Sequence, residues 1–544
     1  MSPDGSPKFR IGTMNPSSAF GRQNNIIPAS AFGRKNNMDP SSAFGRQNNM
    51  EGSGFFRYGI NLLLIMGAVF GSVNCGGNNT ADHACTLPGE FIYPKEAPDI
   101  DPDVFRQRRQ KLAEKMEGEI AVISAATGND FIYLTGLTGD RQAVAVLDPS
   151  SDKPFTMFVL PREPMSTLWD GERPGVEGAV SRYGADEAWP AGQFDDQMTR
   201  ILNGRRSVSV HVGDIRIKER IEKLSQGGGA TARPFFNDLA PVLHEMRVFK
   251  DPWEIAQLER AVEVTSLAHK RALQTVRPGQ KEYDVQAEIE YVFRKNGLST
   301  GFSSIVGSGP NAAILHYVHN DRTLRDGDLL LMDVGASCRG YVADVTRTIP
   351  VNGKFSDEQK ELYSLVLKAN QEAIKKMVPG NMILDCHHRA TDIIVRGLSE
   401  MGLITDTTSW WQKRFYIQYR NNHYIGLHVH DVGSYGDLEA PDRDSYILHP
   451  EIRGREIEPG MVMTIEPGIY LLADRLDYLH DLFGEIATSE ELDAFAEQVR
   501  PIYEKYAGIG IRIEDDVLIT PDGNRILSDN APKTIEEIEA AMRR

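Results

Sequence analysis

Apolar positions recur with different periods in different parts of the chain, and the change of period divides it. PDVFRQRRQKLAEKM, starting at Pro102, sets an apolar stripe beside a basic face and predicts a helix. AVISAA, FIYLTGL, AVAVLD, FTMFVLP and SVSVHVG follow as short apolar runs rich in β-branched residues, which predict strands. Residues 99–246 therefore read as a smaller α/β domain. From residue 247 the pattern changes. DPWEIAQLERAVEVTSLAHKRALQTV predicts a long amphipathic helix with Asp251 as N-cap, Pro252 at its first position and Glu254 closing a capping box. A second helix is expected from about Glu282 to Lys295, and a third over SDEQKELYSLVLKANQEAIKKM with Ser356 as its cap. The strands between them are of antiparallel type, so residues 247–544 read as an α+β domain. An acidic, helix-periodic segment at about 472–507 reads as an insertion beside that domain's working face, with a passive surface helix as its expected role. Trp169, in TLWDGERPG, is expected to pack.

The first 75 residues do not follow either pattern. Residues 1–49 carry a twelve-residue repeat beginning at Met14, Ile26 and Met38, polar and with one aromatic per copy, which cannot build a core and reads as disordered and foreign to the native protein. Met50 opens a leader (50–75) with Arg57 in its n-region and a mostly apolar stretch at 60–73, too short for a comfortable membrane span. Cys75 ends it, so the leader reads either as a cleaved signal or as a lipoprotein signal with Cys75 lipidated. Both readings place the protein outside the cytoplasm, periplasmic or on the cell envelope, with 76–98 as a linker.

The composition adds exclusions. At 544 residues the chain exceeds one ordinary domain, and 41% hydrophobic with 25% charged residues is a globular balance. A formal net charge of −16 argues against nucleic acid as a partner. Cys75, Cys85, Cys338 and Cys386 form neither a metal-type spacing nor a disulfide framework.

The chemistry lies in five short motifs of the second half. Asp333 sits in LLLMDVGA, Asp344 in YVADVTRT, His423 in HYIGLHVHDVG, Glu466 in TIEPGIY and Glu514 in GIRIEDD. Four carboxylates and one imidazole suit a pair of hard or borderline divalent cations, the kind of centre that activates water for hydrolysis. The segment around SCRG reads as a β-hairpin. If its loop centres between Cys338 and Arg339, Asp333 falls directly opposite Asp344, with Cβ atoms about 5 Å apart. Such a pair repels unless a cation sits between the carboxylates, and a run of Leu329, Leu330, Leu331 and Met332 before Asp333 makes solvation a poor alternative. His423 and His430 would point to opposite sides of a regular strand, and Gly426 is where a bend could bring them together.

These motifs, with NAAILHY and VNGKFSDEQKELY, resemble the pita-bread metallopeptidases of family M24, and FRQRRQKLAEKM, DFIYLTG and PRE…WDGERPG resemble the N-terminal domain of its Xaa-Pro aminopeptidase (aminopeptidase P) branch. The resemblance spans roughly residues 99–542. It implies an α+β pita-bread catalytic domain behind a creatinase-like α/β domain. It implies two metal ions, Mn²⁺ being the expected one with Zn, Co or Fe as alternatives, held by Asp333, Asp344, His423, Glu466 and Glu514. Asp344 and Glu514 would bridge, Glu466 would also take the proton of the attacking water, His316 and His430 would contact the scissile peptide, and Arg512 would orient a bridging carboxylate. The implied activity is removal of an N-terminal residue that precedes proline, by a hydroxide shared between the metals, with homodimers or homotetramers common among relatives. A prolidase acting on Xaa-Pro dipeptides and a non-catalytic peptide-binding protein are the alternatives. His428 stands where the branch usually has Asp, Tyr419 where it has a further His four before the ligand, and the insertion after Tyr470 is unusual.

Overall fold

The computed structural model describes residues 101–227, 234–438 and 445–543, all within one compact unit, Gly89–Arg544. The repeats, the apolar stretch 60–73 and Cys75 lie outside the described residues. No helix among the described residues is long and apolar enough to cross a membrane.

The first half is a six-stranded mixed sheet. Its strands are β1 (Ile120–Ser124), β2 (Val144–Leu147), β3 (Phe155–Val159), β4 (Glu187–Pro190), β5 (Ser207–Val210) and β6 (Phe235–Asp238), in the order β4-β3-β2-β1-β5-β6. The β1–β2 and β2–β3 pairs are antiparallel and the others parallel. Four of the five expected strands are there. FIYLTGL is instead a helix, Asn129–Thr135, closed by Gly136 in the left-handed region at φ 70°. A buried apolar run gives no period with which to separate strand from helix. The helix ends where Gly136 takes the left-handed cap, a position at which a Cβ would meet the Phe105 ring at 2.8 Å.

The second half begins with the helix Pro252–Thr275, whose Asp251–Glu254 capping box is present, and the helix Glu282–Lys295. Ser356 and Gln359 cap the helix Asp357–Ile374 in the same reciprocal way. Eleven strands follow the first two helices: β7 (Ser299–Thr300), β8 (Ile305–Ser308), β9 (Leu329–Val334), β10 (Ala336–Cys338), β11 (Tyr341–Val342), β12 (Val345–Pro350), β13 (Val462–Ile465), β14 (Gly468–Tyr470), β15 (Gly510–Arg512), β16 (Asp515–Thr520) and β17 (Gly523–Ile526). They pair antiparallel in sheets β11-β10-β7, β12-β9-β8, β13-β16-β17 and β14-β15. This is the α+β arrangement the pattern predicts.

The acidic insertion is more than a surface helix. Its helix Ser489–Tyr506 buries Leu492, Phe495, Val499, Tyr503 and Tyr506, and Phe495 meets Trp411 edge-on at 5.0 Å. Trp169, by contrast, does not pack: it is 78% exposed.

The two halves share a core in which Tyr341, Ile425, Leu427, Val462 and Leu518 pack with residues of the first sheet. The basic face of the helix Pro102–Lys115 is partly buried in that junction rather than solvated. Arg108 donates from Nε (2.9 Å) and Nη2 (2.7 Å) to Asp251 Oδ2 and from Nη1 to the Tyr133 carbonyl (3.1 Å). The N-cap of the first helix in the second half is thus held by a guanidinium from the first half.

Candidate metal centre

The hairpin that carries the first two carboxylates turns at Arg339 and Gly340, both in the left-handed region at φ 51° and 91°. That is the two-residue turn whose twist matches flanking strands. It moves the register two positions from the expected one. Cys338 pairs with Tyr341, Val334 with Val345, and Asp333 faces Thr346 rather than Asp344. Side chains alternate with period two, so a two-residue shift leaves Asp333 and Asp344 on one side. The ladder breaks between them. A Cβ on Gly335 would lie 1.7 Å from the Ala343 carbonyl oxygen, so only glycine permits this approach. The Asp344 amide leaves the ladder to donate to Asp516 Oδ2 at 3.0 Å.

The remaining donors arrive on neighbouring elements. The His423 carbonyl accepts from the Thr464 amide of β13 (2.9 Å), and the His423 amide donates to Thr464 Oγ1 (3.2 Å). Its Nδ1 faces the Tyr424 carbonyl at 3.1 Å, which places the proton there and leaves Nε2 with a free lone pair. Burial, aided by His430, lowers its pKa to about 3, so the ring is neutral and able to ligate. Glu466 follows β13 and Glu514 precedes β16. His423 Nε2 stands 3.5 Å from Asp344 Oδ2, 3.5 Å from Glu466 Oε1 and 4.0 Å from Glu514 Oε1.

This donor set fits divalent metal. Asp333 Oδ1, Asp344 Oδ1 and Glu514 Oε1 are buried and find no hydrogen-bond partner. Unsatisfied buried oxygens are expensive, and a cation is the group that would satisfy several at once. Burial, then mutual repulsion with Glu514 and Asp333, raises the Asp344 pKa; burial, then Glu466 and Asp333, raises that of Glu514. Donor atoms of Asp344, His423 and Glu514 lie within 4.8 Å of one another, a spacing one ion can span.

Arg512 reaches Asp333, which the resemblance makes a ligand of one metal only, rather than a bridging carboxylate. Its Nε also donates to Thr346 Oγ1 (3.1 Å), whose hydroxyl donates to Glu514 Oε2 (2.7 Å). The expected bridging carboxylate is therefore held at one remove. A chain of hydroxyls continues from Arg512: Nη1 donates to Tyr470 OH (2.7 Å), which pairs with Tyr419 OH (2.9 Å), which donates to the Glu466 carbonyl (2.8 Å). Tyr419, the departure from the expected His, thus braces a candidate ligand through its backbone. Thr346, Tyr470 and Asp516 were not legible as site residues, because their roles lie in cross-strand contacts.

His430 packs its ring edge-on against His423 at 4.5 Å, so the bend at Gly426 does bring the two together. A Cβ on Gly426 would meet Asp431 Oδ2 at 2.1 Å. His428 fixes the loop by accepting the His430 amide at Nδ1 (3.1 Å). Burial, then the neighbouring His428 and His316, lowers the His430 pKa, and His316 is itself exposed.

Comparison with known proteins agrees with this layout. Residues 256–521 match metallopeptidase family M24, and residues 105–211 match the aminopeptidase P N-terminal domain. The Xaa-Pro aminopeptidase of Escherichia coli (strain K12) is 36% identical over 473 residues, covering 82% of this chain and 98% of that protein. The Xaa-Pro dipeptidase of Mus musculus is 32% identical over 507 residues, covering 84% of this chain and 97% of that protein. Among solved structures, the zinc-substituted E. coli aminopeptidase P in complex with product is 35% identical and superposes with a TM-score of 0.71, covering 82% of this chain and 99% of that one. The chain belongs to metallopeptidase family M24, and to its aminopeptidase P branch.

Proposed function

We propose that the chain is an aminopeptidase that hydrolyses the bond between an N-terminal residue and a following proline. The observation that carries this reading is the convergence of Asp333, Asp344, His423, Glu466 and Glu514, with three orphaned carboxylate oxygens, in a chain of the aminopeptidase P branch. Those five residues would hold two divalent ions, which when bound supply Lewis acidity and a water acidified enough to attack near neutral pH. Four carboxylates against one imidazole favour Mn²⁺, with Zn²⁺, Co²⁺ and Fe²⁺ as competitors.

The chain's own groups do the rest. Glu466 would accept the proton of the attacking water and return it to the proline nitrogen. His430 and His316, on the solvent side of His423, would donate to the oxygen of the tetrahedral intermediate. The free α-amine of the substrate would sit beside the metal ions and their carboxylates, which would restrict cleavage to the N-terminus. Arg512 holds Asp333 and, through Thr346, Glu514. A prolidase reading draws on the likeness to the mouse dipeptidase and on Arg420, a cation whose charge reaches Glu466 and which could hold a proline carboxylate.

The test is cleavage of an Xaa-Pro-Yaa tripeptide, an Xaa-Pro dipeptide and a proline-free peptide with added Mn²⁺. Tripeptide cleavage abolished by chelator and by Asp344→Ala is expected. Dipeptide-only cleavage would make the chain a prolidase, and no cleavage with no retained metal would leave a peptide-binding protein. We also propose export directed by the apolar stretch 60–73 behind Met50, as a cleaved signal or, with Cys75 lipidated, as a lipoprotein signal, and self-association as a dimer or tetramer. N-terminal sequencing of the native protein should start at or near residue 75, with light scattering giving the assembly; an N-terminus within the repeats would overturn the leader reading.

A further inference from the structure

A second group of metal-ligand side chains lies in the first half, away from the centre described above. Asp130, in the first turn of the helix Asn129–Thr135, meets His211, just after β5, and His244, in the helix Ala240–Val248. Their donor atoms all lie within 4.8 Å of one another. We propose that Asp130, His211 and His244 form a separate mononuclear site for a borderline transition metal, with Zn²⁺ as the fitting ion.

Three observations carry this. The first is spacing. Asp130 Oδ2 stands 3.4 Å from His244 Nε2 and 3.6 Å from His211 Nε2. Both distances are long for a hydrogen bond. They match the edges of a tetrahedron built on zinc bonds of about 2.0–2.1 Å, which are about 3.3 Å long. The candidate catalytic centre shows the same 3.5 Å edges between His423 Nε2 and its carboxylates. The second is an orphaned ring: His211 Nδ1 is buried without a partner, so neither nitrogen of that ring has a good hydrogen bond. The third is charge. Arg247 occupies only Asp130 Oδ1 (2.6 Å), leaving Oδ2 toward the two rings, and its charge is shared with the buried carboxylate of Asp431. Lys250 stands 3.8 Å from Asp431 Oδ2 and is fully buried, which disfavours its ammonium form.

The donor set separates this site from the other. Two imidazoles and one carboxylate favour zinc over manganese, whereas four carboxylates and one imidazole favour the harder ion. The side chains of His211 and His244 are 26% and 33% exposed, so a fourth position opens to solvent. An ion here would also brace the Asp130–Arg247–Asp431 chain, which ends one residue from His430.

The experiment counts zinc. Full-length chain carrying Asp344→Ala and Glu514→Ala, which cripple the other centre, is stripped with chelator and dialysed against buffered Zn²⁺. Elemental analysis should find one equivalent per chain, abolished by further His211→Gln or His244→Gln. In the otherwise unchanged chain, the same Gln variants should remove one equivalent and reduce, without abolishing, the zinc-induced rise in melting temperature, while circular dichroism stays unchanged. Co²⁺ in place of zinc should give a tetrahedral visible spectrum that the Gln variants lose. Zinc content indifferent to His211→Gln and His244→Gln in both backgrounds would overturn the proposal.

Discussion

A buried carboxylate is tolerated only when something answers its charge, and here the answers differ residue by residue. Asp333 has Arg512 and Glu514 has the Thr346 hydroxyl, yet each keeps one buried oxygen without a partner, as Asp344 does. Those three oxygens mark where a cation is needed. Tyr419 is one of the positions where the resemblance leads one to expect another residue, and in the structure its hydroxyl joins the Arg512–Tyr470 chain to the Glu466 carbonyl. Tyr419→Phe should cost about 1 kcal/mol, the worth of a neutral hydrogen bond. It should lower kcat several-fold while KM holds, because Glu466 would lose its brace and substrate contacts would remain. Urea unfolding and steady-state kinetics check both; unchanged values would leave the hydroxyl chain without a role.

Among the elements, the hairpin shows how a turn type sets a site. The Arg339–Gly340 turn decides which residues face one another, and Gly335 lets the ladder break so that Asp344 can swing its amide to Asp516. The helix Asp385–Glu400 gives a test of electrostatics at a residue outside the candidate ligand set. Arg453 grips Asp385 from Nε (2.7 Å) and Nη2 (2.5 Å). Burial opposes ionisation of Asp385, but the Arg453 bond and the Met382 amide outweigh it and hold its pKa below the usual 3.8. A depressed carboxylate pKa contributes stability above the unfolded value and loses it as pH falls through the folded one. Asp385→Asn should therefore destabilise by about 1 kcal/mol at neutral pH, a figure kept small by the half-exposed arginine. The deficit should fade as pH falls below 3.8 and through the lower pKa of the folded state, where wild type is protonated too. Thermal melts across that range decide it, and a deficit independent of pH would mean the loss is one of packing.

At the scale of the whole molecule, the two halves are joined by a shared core and by Arg108. That guanidinium is 2% exposed and faces Asp251 and Glu254, the two residues of the capping box. Removing one partner of a buried ion pair costs about 3–5 kcal/mol, since the other charge stays behind. Arg108→Ala should lose that much in urea unfolding and fray the start of the helix Pro252–Thr275, seen as faster amide exchange near Trp253. A loss below about 1 kcal/mol would show that apolar contacts alone join the halves.

Local chemistry was readable from the sequence wherever a residue acts on near neighbours. The capping boxes of Asp251 and Ser356, the limits of the helix Glu282–Lys295 and the apolar runs of β2, β3 and β5 needed no tertiary information. The five metal-type residues were visible as types in motifs, and Gly426 as a bend. Tertiary structure decided the rest. FIYLTGL, a buried apolar run without a period of its own, is a helix. Asp333 faced Thr346 because turn geometry fixes register. Arg108 turned inward because the second half supplies Asp251, and the insertion found its core partner in Trp411. The Asp130–His211–His244 group, spread over more than a hundred residues of chain, has no sequence signature. Period and capping are set by contacts within a few residues, whereas register, burial of charge and ligand convergence depend on partners that only folding brings near.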